Sequence, residues 1–414
     1  MTFSADPKYK QSSGIPSVAM FFLKYCKCLH AGVVVCLLFS CETKLHFTQG
    51  VVSITQPEIL PLKMAMAQRE NSNSWIRNNI ELDRIVQIET TEKFVMGTFI
   101  KRVILYNDTL IILDKDTNTI FIVNAYTGKV YAHINRRGRG PGESRFIIDI
   151  AFDEKKEEIL IYNDYQNLVY YSLEGKFLKQ EKVNEKLYSH VIYNNDNLIF
   201  YNHGEGLYYY PYSIDIFNLT NRTWKTLGSS QKVKFNIKFP HPSMVKSKNI
   251  WYVPMLDTGL HLLEGDEIMV PYSLDVKNPI TVDLLNKYNK SDDYSYFSRE
   301  VNDRSILYSI HGVKETEKYI IFNTNAGFMM MDKKTFEIHS ALWMFDEYTG
   351  IIHNSFDYFA HDGDDNRIMF IVSPHQWLER KPTAQNISVH LKEQIDAVTL
   401  DLESNPILVF YKEK

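Results

Sequence analysis

Ile120-Phe-Ile-Val-Asn124-Ala-Tyr-Thr-Gly128-Lys129 reads as an apolar strand that runs into a tight turn made by Asn, Thr and Gly. The same form returns at Leu168-Val-Tyr-Tyr171-Ser-Leu-Glu-Gly175-Lys176, with a one-residue gap, and at Ile214-Asp-Ile-Phe217-Asn218-Leu-Thr-Asn221-Arg-Thr-Trp224. Phe328-Met-Met-Met331-Asp332-Lys-Lys-Thr335-Phe336 is a further copy and Leu260-His-Leu-Leu-Glu264-Gly265 a truncated one. A second kind of apolar run ends in a small polar residue: Ile111-Ile-Leu-Asp114, Leu160-Ile-Tyr-Asn163, Ile199-Phe-Tyr-Asn202, Ile320-Ile-Phe-Asn323 and Phe370-Ile-Val-Ser373. No long segment from Trp75 onward carries a clean helical period, so the chain is built of strands. Units of roughly 45 residues holding such runs are the sequence form of a propeller blade. They predict an all-β, six-bladed β-propeller of four-stranded antiparallel blades at 97–134, 143–183, 188–228, 242–275, 305–345 and 357–414. Ile80–Glu89 has no partner in its own unit and is expected to complete the last blade, closing the ring.

Composition fits one large globular domain: 414 residues, 44% hydrophobic and 23% charged. Cys26, Cys28, Cys36 and Cys41 are the only cysteines, so nothing after residue 41 can form an intrachain disulfide. Beyond that point 42 basic and 49 acidic side chains remain, a net charge of about −7. That balance offers no electrostatic footprint for nucleic acid.

Lys24 and Lys27 precede the apolar run Ala31 to Phe39, which is far shorter than the ~20 residues of a membrane-spanning helix. It has the length of a signal peptide. Leu38-Phe39-Ser40-Cys41 resembles a bacterial lipobox, which implies lipidation of Cys41 and a mature chain that starts there. Residues 1–41 are therefore expected to be a signal peptide whose biological start is Met20, 42–74 a tether, and 75–414 the propeller.

Arg137-Gly-Arg-Gly-Pro-Gly-Glu143, leading into Asp149-Ile-Ala-Phe152, resembles a signature of uncharacterised six-bladed propeller lipoproteins of Bacteroides-type bacteria. Asn405-Pro-Ile-Leu-Val-Phe-Tyr411 looks like that family's closing strand. Asp164 to Gly175 is similar to its blade pattern, shared with NHL- and TolB-like propellers. The resemblance implies the fold and a cell-envelope address, and carries no agreed activity. Two departures are a short blade around Val253–Asp266 and a polar insertion at 275–304.

Catalytic motifs are absent: no Walker loop, no Gly-x-Ser-x-Gly elbow, no His-Glu-x-x-His helix. His203, His241, His261, His311, His353, His361 and His375 lack ligand spacing. Asp362-Gly-Asp364-Asp365-Asn366 lacks the distal Glu of a calcium loop and reads as a hairpin turn. Gly140-Pro141-Gly142 is a turn that joins blades, across which Arg139 and Glu143 are placed to pair. With Arg136 and Arg137 its backbone N–H groups would suit an anion. Tyr208–Tyr212, Trp251, Tyr252 and Trp377 read as packing between twisted sheets, and 288–298 as exposed.

These residues point to a non-catalytic module that binds a glycan, a peptide or an envelope protein. Its candidate binding positions are Asp114, Arg139, Glu143, Asn163, Asn202, Asn323 and Ser373, which are expected to share one face around the channel mouth. No cofactor is called for. The alternatives are a lactonase- or lyase-like propeller enzyme with Ca²⁺ in its central channel, or a structural subunit of an envelope complex.

Overall fold

The computed structural model describes residues 47–49, 58–61 and 77–414, apart from 184–185, 202–212, 229–243, 255–256, 277, 279, 282–283, 285–286, 288–296, 298, 302–305, 326, 342, 355–357, 360, 364–365 and 383–386. Its strands form a six-bladed propeller. Blade 1 holds Ile100–Tyr106, Thr109–Asp114, Thr119–Asn124 and Val130–Ile134, and blade 2 holds Ile147–Asp153, Glu158–Asn163, Asn167–Ser172 and Phe177–Lys182. Blade 3 is His190–Asn194, Asn197–Tyr201, Ser213–Asn218 and Trp224–Gly228. Blade 4 is Met244–Lys246, Ile250–Tyr252, Gly259–Glu264 and Glu267–Asp275, its first two strands only three residues each. Ile310–Glu315, Tyr319–Thr324, Gly327–Asp332 and Ile338–Ala341 make blade 5. Blade 6 joins Arg367–Val372 and Ile407–Glu413 to the N-terminal Ile80–Gln87. Tyr358, Phe359, His361 and Asp362 lie at its inner position, where the Tyr358 carbonyl accepts the Ile371 N–H at 3.1 Å. Every observed blade lies within its expected bounds, and the ring closes through the expected strand.

Both faces of each blade are buried, which is why the strands read as unbroken apolar runs. Ile111 and Leu113 pack toward blade 2, against Ile150 and Ile161. Leu110 and Ile112 point the other way, against Met369 and Leu408 of blade 6. One apolar cluster of this kind fills each interface between neighbouring blades. Trp251, Tyr252 and Trp377 are buried in this packing, as expected of them. Phe297 is buried too, edge-on to Tyr308, so at this residue the segment 288–298 is not exposed as its polar neighbours suggested.

Two short strands add to outer edges in parallel. Phe47–Gln49 lies along Trp224–Thr226 of blade 3, and Glu58–Pro61 along Tyr272–Asp275 of blade 4. Helix Val389–Ala397 covers the closing strand, where Gln394 accepts the Ile85 N–H at 2.9 Å. Outer edges that would otherwise template aggregation are thereby covered.

The turn read first from the sequence shows what its glycine does. Asn124 Oδ1 accepts the Tyr126 and Thr127 N–H groups, and Gly128 takes φ +71°. A Cβ on Gly128 would sit 1.8 Å from the Gln87 carbonyl of the closing strand, whereas one on Gly175 meets nothing nearer than 3.6 Å. Both substitutions to Ala incur the left-handed strain of about 1–2 kcal/mol. Gly128→Ala must also push back the closing strand, so it is expected to cost at least about 2 kcal/mol more than Gly175→Ala in chemical denaturation. Equal losses would mean that the strand yields freely.

Candidate functional site at the ring seam

All inner strands run the same way. The face at which they begin, and at which the second strands end, carries the connections between blades. On this entry face an open groove of about 1020 Å³ lies at the seam of blades 6 and 1. Its walls come from the connection 87–100, from the segment around Ser373–Gln376 and from residues 399–406. Val95, Phe99 and Leu402 expose apolar surface there. Glu92, Asp401 and Glu403 bring carboxylates, and among the described residues no Lys, Arg or His lines the groove.

Three side chains hold the wall loop in shape. Asn405 is fully buried, donates through Nδ2 to the Glu89 and Phe94 carbonyls at 2.7 Å each, and accepts the Met96 N–H at 2.7 Å. Asp114 accepts the Gly97 N–H at 2.7 Å, and Asp116 accepts those of Thr98 and Phe99 at 2.8 and 2.9 Å. The Phe99 N–H leads the contacts that hold the Asp116 carboxyl below its usual pKa. Glu92 and Glu403, by contrast, are exposed and make no side-chain hydrogen bond or ion pair among the described residues.

Asp114, Asn163 and Asn323 occupy one repeated position. Asp114 and Asn163 end a second strand and Asn323 stands one residue before the end of its own, each beside a bulge in the inner strand, at Ile100/Arg102, Ile147/Asp149 and His311/Val313. All three therefore lie on the entry face, one strand out from the channel. Asp114 also accepts the Asp116 N–H, and Asn163 accepts those of Tyr165 and Asn167 while donating to Ser144 Oγ. Asn323 is fully buried with neither amide atom bonded, and Asn325 holds its incoming loop instead. Ser373 lines the groove and caps helix Pro374–Leu378, its hydroxyl accepting the Gln376 N–H. Asn202 and Cys41 lie outside the described residues.

Arg139 and Glu143 share the entry face but do not pair. Glu143 instead accepts the Gly140 N–H at 2.8 Å, and Gln180 takes that of Gly142 at 3.1 Å, so two N–H groups of the loop are already occupied. Arg136 and Arg139 point outward, and Arg137 donates to the Thr117 carbonyl.

Asp362, read as part of a hairpin turn, proves to be a channel residue. Arg102 crosses the channel from blade 1 to Asp149 of blade 2, with contacts of 2.7 and 2.6 Å, and to Asp362 of blade 6 at 2.7 Å. It also donates to the Met244 carbonyl of blade 4 at 3.1 Å. Burial pushes the guanidinium pKa down, but the charges of Asp149 and Asp362 outweigh it and leave it raised. Lys101 approaches His190 of blade 3 at 3.5 Å beside it. A pair of carboxylates already engaged by a guanidinium does not suit the Ca²⁺ considered above for this channel. No cluster of three or more metal-ligating side chains occurs among the described residues.

Comparison with known proteins bears on fold rather than chemistry. The chain is similar to a crystal structure of a Bacteroides fragilis protein described as exported, at 16% identity over 86% of this chain and 100% of that one, TM-score 0.62. A Bacteroides vulgatus member of the DUF4221 family matches 82% of this chain and 99% of its own at 9% identity, TM-score 0.47. No curated protein matches. Residues 68–412 match the family model described as a domain of unknown function, DUF4934, and the chain belongs to that family.

Proposed function

We propose that this protein is a non-catalytic binding module of the cell envelope, tied to a membrane by lipid on Cys41, that holds a peptide segment in the groove at the ring seam. The groove carries the reading. It is large and open, it exposes Val95, Phe99 and Leu402, and its charged lining among the described residues is wholly acidic. Such a surface favours an extended segment that presents basic and apolar side chains together. A glycan would draw less from the carboxylates. The envelope address rests on the lipobox and on the short apolar run before it.

Peptides selected from a random library on the purified mature protein should be rich in Lys or Arg next to apolar residues. Glu92→Lys combined with Glu403→Lys should weaken their binding at least tenfold, with an unchanged melting temperature. Full binding by that double variant would place the ligand site elsewhere.

A further inference from the structure

Among the described residues the first strand is Phe47–Gln49, and its partner is the outer edge of blade 3. The next, Glu58–Pro61, extends the outer edge of blade 4. Lys225 and Asp266 join the same two blades by an ion pair of 2.9 Å at this rim. In a closed ring of six, the seam of blades 3 and 4 lies opposite the seam of blades 6 and 1, where the groove opens.

Five residues, 42–46, separate Cys41 from Phe47. Fully extended, they reach about 20 Å. A propeller of this size is roughly 50 Å across. A free coil over the whole of 42–74 would instead span roughly 30 Å on average and would leave the domain free to tumble. Strand addition shortens the leash to less than half the particle's width.

We propose that the propeller stands with its rim toward the membrane, blades 3 and 4 next to the lipid and the groove on the far side, about 50 Å away. The inference rests on the reading of Cys41 as the lipidated residue. The groove then faces outward toward a partner that is not embedded in the same membrane leaflet. A peptide or protein segment from the aqueous phase, or from the opposing membrane, fits that placement.

The test is chemical and does not depend on how the cell treats Cys41. The mature chain beginning at Cys41 has one thiol, so a maleimide lipid couples there alone. A clickable side chain in place of Asp266 or of Glu92 carries the dye. On phosphatidylcholine vesicles doped with a headgroup nitroxide lipid, dye at 266 should be quenched several-fold more than dye at 92. Replacing 47–61 by a Gly/Ser segment of equal length should abolish the difference. Equal quenching in the unaltered chain, or stronger quenching at 92, would overturn the proposed orientation. The lipid reading is judged separately: Cys41→Ala should move the protein expressed in a bacterium from the membrane to the soluble fraction. A variant that stays on the membrane refutes the anchor, whatever the vesicles report.

Discussion

A chain lacking residues 77–88 should fail to give a soluble, cooperatively melting monomer. Ile80–Gln87 pairs with Ile407–Glu413 along its length and brings the start of the ring into the last blade. It carries Ile80, Leu82, Ile85 and Val86, and Ile88 follows, all buried. The first three fill the interface of blades 5 and 6, and the last two that of blades 6 and 1. At about 1.5–3 kcal/mol per buried side chain, these five are worth roughly 10 kcal/mol. The whole stability of a domain is about 5–15 kcal/mol. The deletion also bares the edge of Ile407–Glu413. Size-exclusion chromatography with a thermal melt decides it. A monomer that melts where the parent does would show that the ring is held shut by something other than this strand.

The next largest effect is expected at Arg102. Arg102→Met leaves Asp149 and Asp362 buried without their counter-charge, and breaking such a group on one side costs about 3–5 kcal/mol. The two acids have further work: Asp149 accepts the Val191 N–H at 2.9 Å and Asp362 the Lys246 N–H at 2.8 Å. Asn in both places still accepts those bonds through its amide oxygen. The triple variant Arg102→Met, Asp149→Asn, Asp362→Asn should therefore recover most of the loss in chemical denaturation. If Arg102→Met alone stays within about 1 kcal/mol of the parent, the guanidinium is not what holds blades 1, 2, 4 and 6 around the axis.

What the sequence disclosed and what it hid divide along one physical line. Turn chemistry and apolar runs act over a few residues, so Asn124 with Gly128, Asn218 and Asp332 could be recognised where they stand, and with them the blades. Even the closing strand was legible, because Ile80–Gln87 is a strand with no neighbour in its own unit. Arg102 was not. Its partners Asp149 and Asp362 lie 47 and 260 positions away and meet it only once the ring is shut. The groove escaped for the same reason, since its walls come from residues 87–100, 373–376 and 399–406. Asn405 stood in a stretch singled out as a closing strand, yet nothing local marks it as the clamp of a loop that starts at residue 89. Of the candidate polar positions, Asp114, Asn163 and Asn323 recur at one place in their blades. Asp114 and Asn163 accept backbone N–H groups of their own turns, a use that a pattern of residue types does not distinguish from ligand contact.

The wall loop has a further consequence, for how binding preference changes over time. Its frame is Asn405, Asp114 and Asp116, all rooted in blades, and they grip the loop at Glu89, Phe94, Met96, Gly97, Thr98 and Phe99. Between the grips, Thr91, Glu92, Lys93 and Val95 face solvent. Substitutions there leave the clamps and the ring untouched, so a randomised library at these four positions should fold at nearly its full diversity. The scaffold is in this sense decoupled from its recognition surface. A lineage could exchange one ligand for another by drift at the tip alone, without passing through an unstable intermediate.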